Sequence, residues 1–259
     1  MNYKTILVHD APHLCIVTLN RPERKNAMTP EMQIELLHAF NQAAGSGCRA
    51  LVIRGSGGAF CSGLDLSVLQ AMQGKTATEY REDAKRTAQL FRALYELPIP
   101  TISAVHGPAI AGGTGLAMIC DFTLATPDAK FGFTETRIGF VPALVSAFLT
   151  LHMGDKRSRD LLFTARIFDA DEAYRFGLVT EIVTKDQLDA RIQELTRILA
   201  ANSLQSLAAT KRLMIEARRE WLDKAIKDAI DASVKSRETE DFQEGVAAFL
   251  EKRKPLWKV

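Results

Sequence analysis

Two glycine-rich turns, each set directly behind a short apolar run, constrain this chain more than any other feature. The first, Gly55-Ser56-Gly57-Gly58-Ala59-Phe60-Cys61-Ser62-Gly63-Leu64-Asp65-Leu66, follows Ala50 to Arg54. The second, His106-Gly107-Pro108-Ala109-Ile110-Ala111-Gly112-Gly113-Thr114-Gly115-Leu116, follows Pro100 to Val105. Both apolar runs have the β-branched content of buried strands. The second turn leads into Leu116 to Cys120, which reads as the first turns of a packed helix. Where a strand passes through glycines into a helix, the first N–H groups have no intrahelical acceptor, and the dipole adds roughly half a positive charge. Without a Cβ, a ligand can approach that backbone closely. A single such glycine is equally well explained by helix–sheet packing. Two such turns from one sheet, however, could aim two N–H groups at one oxygen.

Nucleotide phosphate does not fit that oxygen. The spacing from Gly107 to Gly112 resembles the start of a phosphate loop, but Gly113 and Thr114 stand where Lys and then Ser or Thr are needed, and there is no Gly-x-Gly-x-x-Gly.

The remaining pattern is α/β. Ile6 to His9 and Leu14 to Leu19 read as strands joined around Asp10-Ala11-Pro12-His13, and Asn20 to Ala27 as a polar loop. Thr29-Pro30-Glu31 opens a helix carrying Met32, Leu36, Leu37 and Phe40, closed by Gly45-Ser46-Gly47. Leu51 to Ile53 is the next strand, and this strand–helix–strand order predicts a parallel sheet. A polar, mobile connection is expected from Gln73 to Thr78, then a helix from Glu79 to Leu97 stopped by Pro98 and Pro100. Thr101 to Val105, Phe122 to Ala125 and Ala129 to Phe133 are extended. Helices follow at Pro142–Met153, Asp155–Phe163 and Asp169–Phe176, then a strand at Val179–Val183. The last third is helical: 186–200, 203–217, 220–235 and 241–253. A boundary near residue 200 predicts a core of residues 1–200 and a helical module of residues 201–259.

At 259 residues the chain can bury a sizeable core, and a net charge of +2 gives no case for nucleic acid. Cys15, Cys48, Cys61 and Cys120 lie far apart, which predicts neither a metal site nor a disulfide framework. Cys61 reads as a small buried residue rather than a nucleophile. The longest apolar stretch, Phe140 to Leu151, is too short to span a bilayer, and the first residues do not resemble a signal peptide. A reduced, cytoplasmic setting with no membrane partner is the expectation.

Ala59-Phe60-Cys61-Ser62-Gly63-Leu64-Asp65-Leu66, followed by Gly107-Pro108-Ala109-Ile110-Ala111-Gly112-Gly113 and Cys120-Asp121, resembles the crotonase (enoyl-CoA hydratase/isomerase) superfamily over essentially the whole chain. The resemblance implies a spiral of stacked β-β-α units with a helical C-terminal module that covers the site and trimerises, giving a homotrimer or a hexamer built as a dimer of trimers. It implies an acyl-CoA thioester as substrate, in fatty acid metabolism. No cofactor is implied, because coenzyme A is part of that substrate. By motif position the thioester oxygen lies between the backbone N–H groups of Leu64 and Gly113, and Glu135, after Phe131-Gly132-Phe133-Thr134, carries the proton.

Further contacts follow from the same resemblance. Arg24 and Lys25 would meet the CoA phosphates. Cys61, Ser62, Gly63, Asp65 and Leu66 would line the adenine and pantetheine side through the backbone, the Asp65 carboxylate itself reading as a turn acid. Gly112 and Leu116 would complete the lining; from the residues themselves Met118 and Phe140 could line the acyl pocket, although apolar residues at helical spacing are usually core. Phe249 and Lys252 hold the places from which a neighbouring subunit reaches CoA. His106 and Asp121 read as structural. Leu116 departs from the family: typical hydratases have a second glutamate there. A single carboxylate fits addition of water to a 2-enoyl-CoA, the reading preferred from Ile138-Gly139-Phe140-Val141. It also fits migration of a double bond from the 3 to the 2 position. A degenerate family member that binds acyl-CoA without turnover is the third reading.

Overall fold

The computed structural model describes residues 1–257 apart from Pro12 and Gln73, and only the backbone of Leu66. Parts of two expected segments, the turn at Pro12 and the connection beginning at Gln73, therefore lie outside the described residues, as does the side chain of Leu66. In chain order the elements are β1 (Ile6–Ala11), β2 (Leu14–Leu19), α1 (Pro30–Gly45), β3 (Ala50–Gly55), α2 (Leu66–Met72), α3 (Ala77–Tyr95), β4 (Thr101–Val105), β5 (Ala109–Ile110) and α4 (Gly112–Ile119). There follow β6 (Phe122–Ala125), β7 (Lys130–Gly132), α5 (Ala143–Thr164), β8 (Ile167–Asp169), α6 (Ala170–Arg175), β9 (Glu181–Ile182), α7 (Leu188–Ala200), α8 (Leu204–Glu216), α9 (Arg219–Arg237) and α10 (Glu240–Leu250).

Six strands form one sheet in the order β1-β2-β3-β4-β6-β9, antiparallel at β1/β2 and parallel at every other pairing. A sheet this parallel needs cover on both faces, and the two-residue alternation along β3 supplies it. Leu51 and Ile53 point into the main core with Met32, Leu36 and Phe40 of α1. Ala50 and Val52 point to the opposite face, against Leu188, Ile192, Leu195 and Leu199 of α7. A second small sheet, β5-β7-β8, sits beside the glycine turns.

Local chemistry sets the helix ends. Thr29 caps α1 by accepting from the Met32 N–H at 3.2 Å, with Pro30 at the first helical position. At α3, Thr76 and Glu79 form a reciprocal capping box, so the helix starts two residues before the expected Glu79. Gly154, at φ 75° and ψ 171°, breaks α5 between the two helices expected on either side of it.

The second glycine turn departs from expectation. Helix α4 begins at Gly112 and ends at Ile119, so Leu116 to Cys120 lies at its C-terminal end rather than its start. The glycines are themselves the first turn of the helix, and β5 fills the residues before them. Helix α2, β5 and β8 were not expected at all.

In the C-terminal third, α9 lies along α3 and α5 and contributes Leu222 and Ile226 to the main core. Helix α10 packs on the 3-10 turn Glu135–Ile138. That approach is close enough that a Cβ on Gly245 would lie 2.8 Å from the Ile138 Cα, and one on Gly139 2.5 Å from the Asp241 carbonyl carbon. Among the described residues no helix is long and apolar enough to cross a membrane.

Candidate active site

The first turn is held by its backbone. The Met28 N–H donates to the Gly63 carbonyl at 2.7 Å, and the Asp65 N–H donates to the Met28 carbonyl at 3.0 Å. Both neighbours of Leu64 are thereby turned toward Met28, so the Leu64 N–H faces the other way. Asp65 anchors the arrangement. Its buried carboxylate pairs with Arg21 at 2.7 Å and accepts from Ser67, and these contacts hold its pKa below the usual range against the opposing effect of burial.

The second turn is pressed against the first. The Cys61 N–H donates to the Pro108 carbonyl, and the Ile110 N–H to the Cys61 carbonyl at 2.9 Å. A Cβ on Gly113 would collide with the Cys61 carbonyl group, its carbon only 2.8 Å away. Gly63 has φ +89°, and a Cβ there would lie 3.0 Å from the Ile110 carbonyl oxygen and 3.7 Å from the Gly112 nitrogen. Gly63 and Gly112, which immediately precede Leu64 and Gly113, are thus neighbours in space. Ala111 caps α4, and the first intrahelical bond recorded runs from the Gly115 N–H to the Ala111 carbonyl at 3.1 Å. The Gly113 N–H therefore belongs to the unpaired first turn. Neither the Leu64 nor the Gly113 N–H has a backbone acceptor among the described residues.

Beside these turns lies a cavity of about 510 Å³ whose wall includes Ser62, Leu64, Gly112, Glu135, Phe140 and Phe249. Glu135 starts the 3-10 turn on which α10 rests and is buried, and its Oε2 has no hydrogen-bond partner. Burial without a cationic partner pushes its pKa from 4.5 up to about 7, opposed only by its own backbone N–H. The alternative use of Glu135 as half of a surface ion pair does not occur among the described residues.

A family model described as "Enoyl-CoA hydratase/isomerase" matches residues 11–259. The chain belongs to this family. A Thermus thermophilus protein provisionally named an enoyl-CoA hydratase is 40% identical over 94% of this chain and 96% of its own length. The crotonyl-CoA hydratase of Syntrophomonas wolfei is 33% identical over 98% of both. The crystal structure of an enoyl-CoA hydratase/isomerase from Xanthobacter autotrophicus superposes with a TM-score of 0.89 at 29% identity, covering 97% of this chain and 98% of that one. Like its relatives, the chain has the mixed α/β crotonase fold with a helical C-terminal region.

Two residues considered for the acyl pocket stand in the core instead, and the other expected side chains take varied places around the cavity. Leu116 and Met118 are buried in the main core and do not reach the cavity, because α4 starts four residues before Leu116 and turns these side chains inward. Cys61 is buried, with its thiol pKa pushed up to about 12, and Asp65 serves the frame; neither side chain lines the cavity. Arg24, Lys25 and Lys252 are exposed and outside the cavity wall. The Lys25 carbonyl nonetheless accepts from the Ser62 N–H at 3.0 Å, tethering the basic loop to the first turn. Phe249 lines the cavity of its own chain. His106 donates through Nε2 to the Gly57 carbonyl, and Asp121 pairs with Lys211 at 2.7 Å, so both are structural. Arg137, Arg253, Gln33, Asp83, Thr87 and Arg237 also line the cavity and were not expected there. For Asp83 and Thr87 a signal existed: with Tyr80 and Phe91 they fall on one face of α3 at helical spacing.

Proposed function

We propose that this chain adds water reversibly to a 2-enoyl-CoA, giving a 3-hydroxyacyl-CoA. The observation that carries the reading is a buried, unpaired Glu135 carboxyl beside two touching turns whose Leu64 and Gly113 amides lack backbone acceptors. Those amides would hold the thioester oxygen, whose negative charge grows as the enolate forms, so they stabilise the transition state more than the ground state. Glu135 takes a proton from water as the water oxygen bonds to C3, and the π electrons move into the thioester enolate. The enolate then collapses, and C2 takes the proton back from Glu135. A carboxyl with a pKa of about 7 is populated in both forms at neutral pH, which is what one group acting as base and then acid needs.

A second reading rests on a specific observation. Asp83, the other carboxylate on the cavity wall, is already taken by Arg86 at 2.6 Å and Arg237 at 2.8 Å, and Leu116 occupies the usual place of a second glutamate. A lone carboxyl also suits a proton shuttle that moves a double bond from the 3 to the 2 position. The CoA phosphates would meet Arg24 and Lys25, joined at the rim by Arg137, whereas Arg253 is already paired with Glu244 and Glu251. Residues 201–259 would form the covering module and the contact for a homotrimer or a dimer of trimers. Four unpaired cysteines support a reduced, cytoplasmic setting. Following the conjugated-thioester absorbance tests the proposal: crotonyl-CoA absorbance falls on hydration, and a 3-enoyl-CoA produces a rise only if the bond migrates. A chain that binds both esters and changes neither overturns both readings.

A further inference from the structure

The cavity that holds Glu135 is lined mainly by apolar residues, among them Leu69, Phe91, Ile138 and Val145, but one stretch of its wall is polar and buried. Its rim is open, with exposed Arg137 and Phe249. Its closed wall, between α1, α3 and α9, carries Gln33, Asp83, Ser233 and Arg237, exposed by only 2%, 8%, 3% and 4%. Asp83 accepts from Arg86 at 2.6 Å and from Arg237 Nη2 at 2.8 Å, while Arg237 Nη1 donates to the Tyr80 carbonyl at 3.0 Å. The Arg237 guanidinium carbon also lies 5.1 Å from the Phe140 ring centroid. Two guanidinium groups facing one carboxylate leave one positive charge in excess. In addition, Arg237 Nε is buried with no acceptor. A wall meant for an alkyl tail would be apolar, since covering a charged group with hydrocarbon strips its water without replacing it.

Helix α3 places this wall relative to the chemistry. Its Phe91 touches α4 just past the glycines: a Cβ on Gly115 would lie 3.0 Å from the Phe91 ring. Asp83 is eight residues earlier on the same helix, about 12 Å along the axis. Coenzyme A is bulky and multiply anionic and so stays at the open rim. The closed end is left for the far end of the acyl group.

Resting on the enoyl-CoA reading above, we propose that the acyl group this chain takes carries a carboxylate at its far end, and that Arg237, held by Asp83, selects it. An arginine oriented by a first carboxylate keeps further guanidinium N–H donors and the excess charge for a second, and charge-assisted bonds of that kind are the strong ones. The wild-type full-length chain tests this with two series of 2-enoyl-CoA esters matched in carbon number, one ending in methyl and the other in carboxylate. The expected result is a kcat/KM at least tenfold higher for the carboxylate series, about 1.4 kcal/mol. Arg237→Met should reverse the preference and Arg237→Lys keep part of it, and the wild-type comparison decides the matter even if neither variant folds. Crotonyl-CoA, too short to reach the wall, is the control. If it is hydrated while the longer series shows equal or better use of methyl ends, this inference alone is overturned. If every thioester is inert, the enoyl-CoA reading falls and this inference with it.

Discussion

Glu135→Gln should make the protein more stable while removing its activity. The wild-type carboxyl is buried with an unpartnered oxygen, and its pKa is raised from 4.5 to about 7. Because the folded pKa lies above the unfolded one, the folded chain holds this proton more tightly. The associated stability is fully present below about pH 4.5 and is lost as pH rises through about 7. The difference between the two pKa values corresponds to about 3 kcal/mol at alkaline pH, of which about 2 to 3 kcal/mol develops between about pH 5 and about pH 8. Glutamine keeps the size and cannot ionise, so the variant escapes that cost. The assay is urea unfolding of both proteins at the two pH values. Their stability difference should grow by that amount in favour of the variant, since every other titrating group is common to both. A difference that does not change with pH would refute the burial argument and with it the assignment of Glu135 as a carboxyl poised near neutrality.

Three other outcomes follow from the geometry. Gly113→Ala forces a methyl into the Cys61 carbonyl group and should lower kcat by about 10²- to 10³-fold by displacing one oxyanion donor; steady-state kinetics checks it. Arg21→Ala leaves the buried Asp65 without its cation and should destabilise the fold by about 3 to 5 kcal/mol, read from denaturant midpoints, with Asp65→Asn partly restoring the loss in the double variant. Gly139→Ala, at φ +65° and against the Asp241 backbone, should loosen α10 from the Glu135 turn, lowering kcat together with the melting temperature.

What the sequence made legible was whatever local chemistry decides. Thr29 and Pro30 announce α1, the alternation of Leu51, Val52 and Ile53 announces a strand covered on both faces, and Gly154 separates two helical patterns. The sequence points to a later start for α4, because glycines ordinarily interrupt helices. Here they form the first turn, since any side chain at Gly113 would strike the first turn of the pair. Strands β5 and β8, two and three residues long, are held by pairing to β7 and have too few residues to show a period. Among site residues, Glu135 could be named from its motif, but its lack of a partner is a fact of tertiary packing. The wall of Gln33, Asp83 and Arg237 was legible only in part: the helical spacing of α3 marks Asp83, but the wall's members come from three helices far apart in sequence, and Gln33 and Arg237 each read alone as an ordinary polar helix residue. Leu116 illustrates the converse case, in which a motif position points to the site while the helix turns its side chain into the core.

The central claim is that one thioester oxygen is shared by two backbone amides. A crystal structure with an unreactive acyl-CoA thioester bound measures this directly. The account predicts that oxygen at about 2.7 to 3.1 Å from both the Leu64 and Gly113 nitrogens, with the Glu135 carboxyl facing the adjacent carbons. A thioester oxygen bound by neither amide, or an acyl group outside the Glu135 cavity, would contradict it.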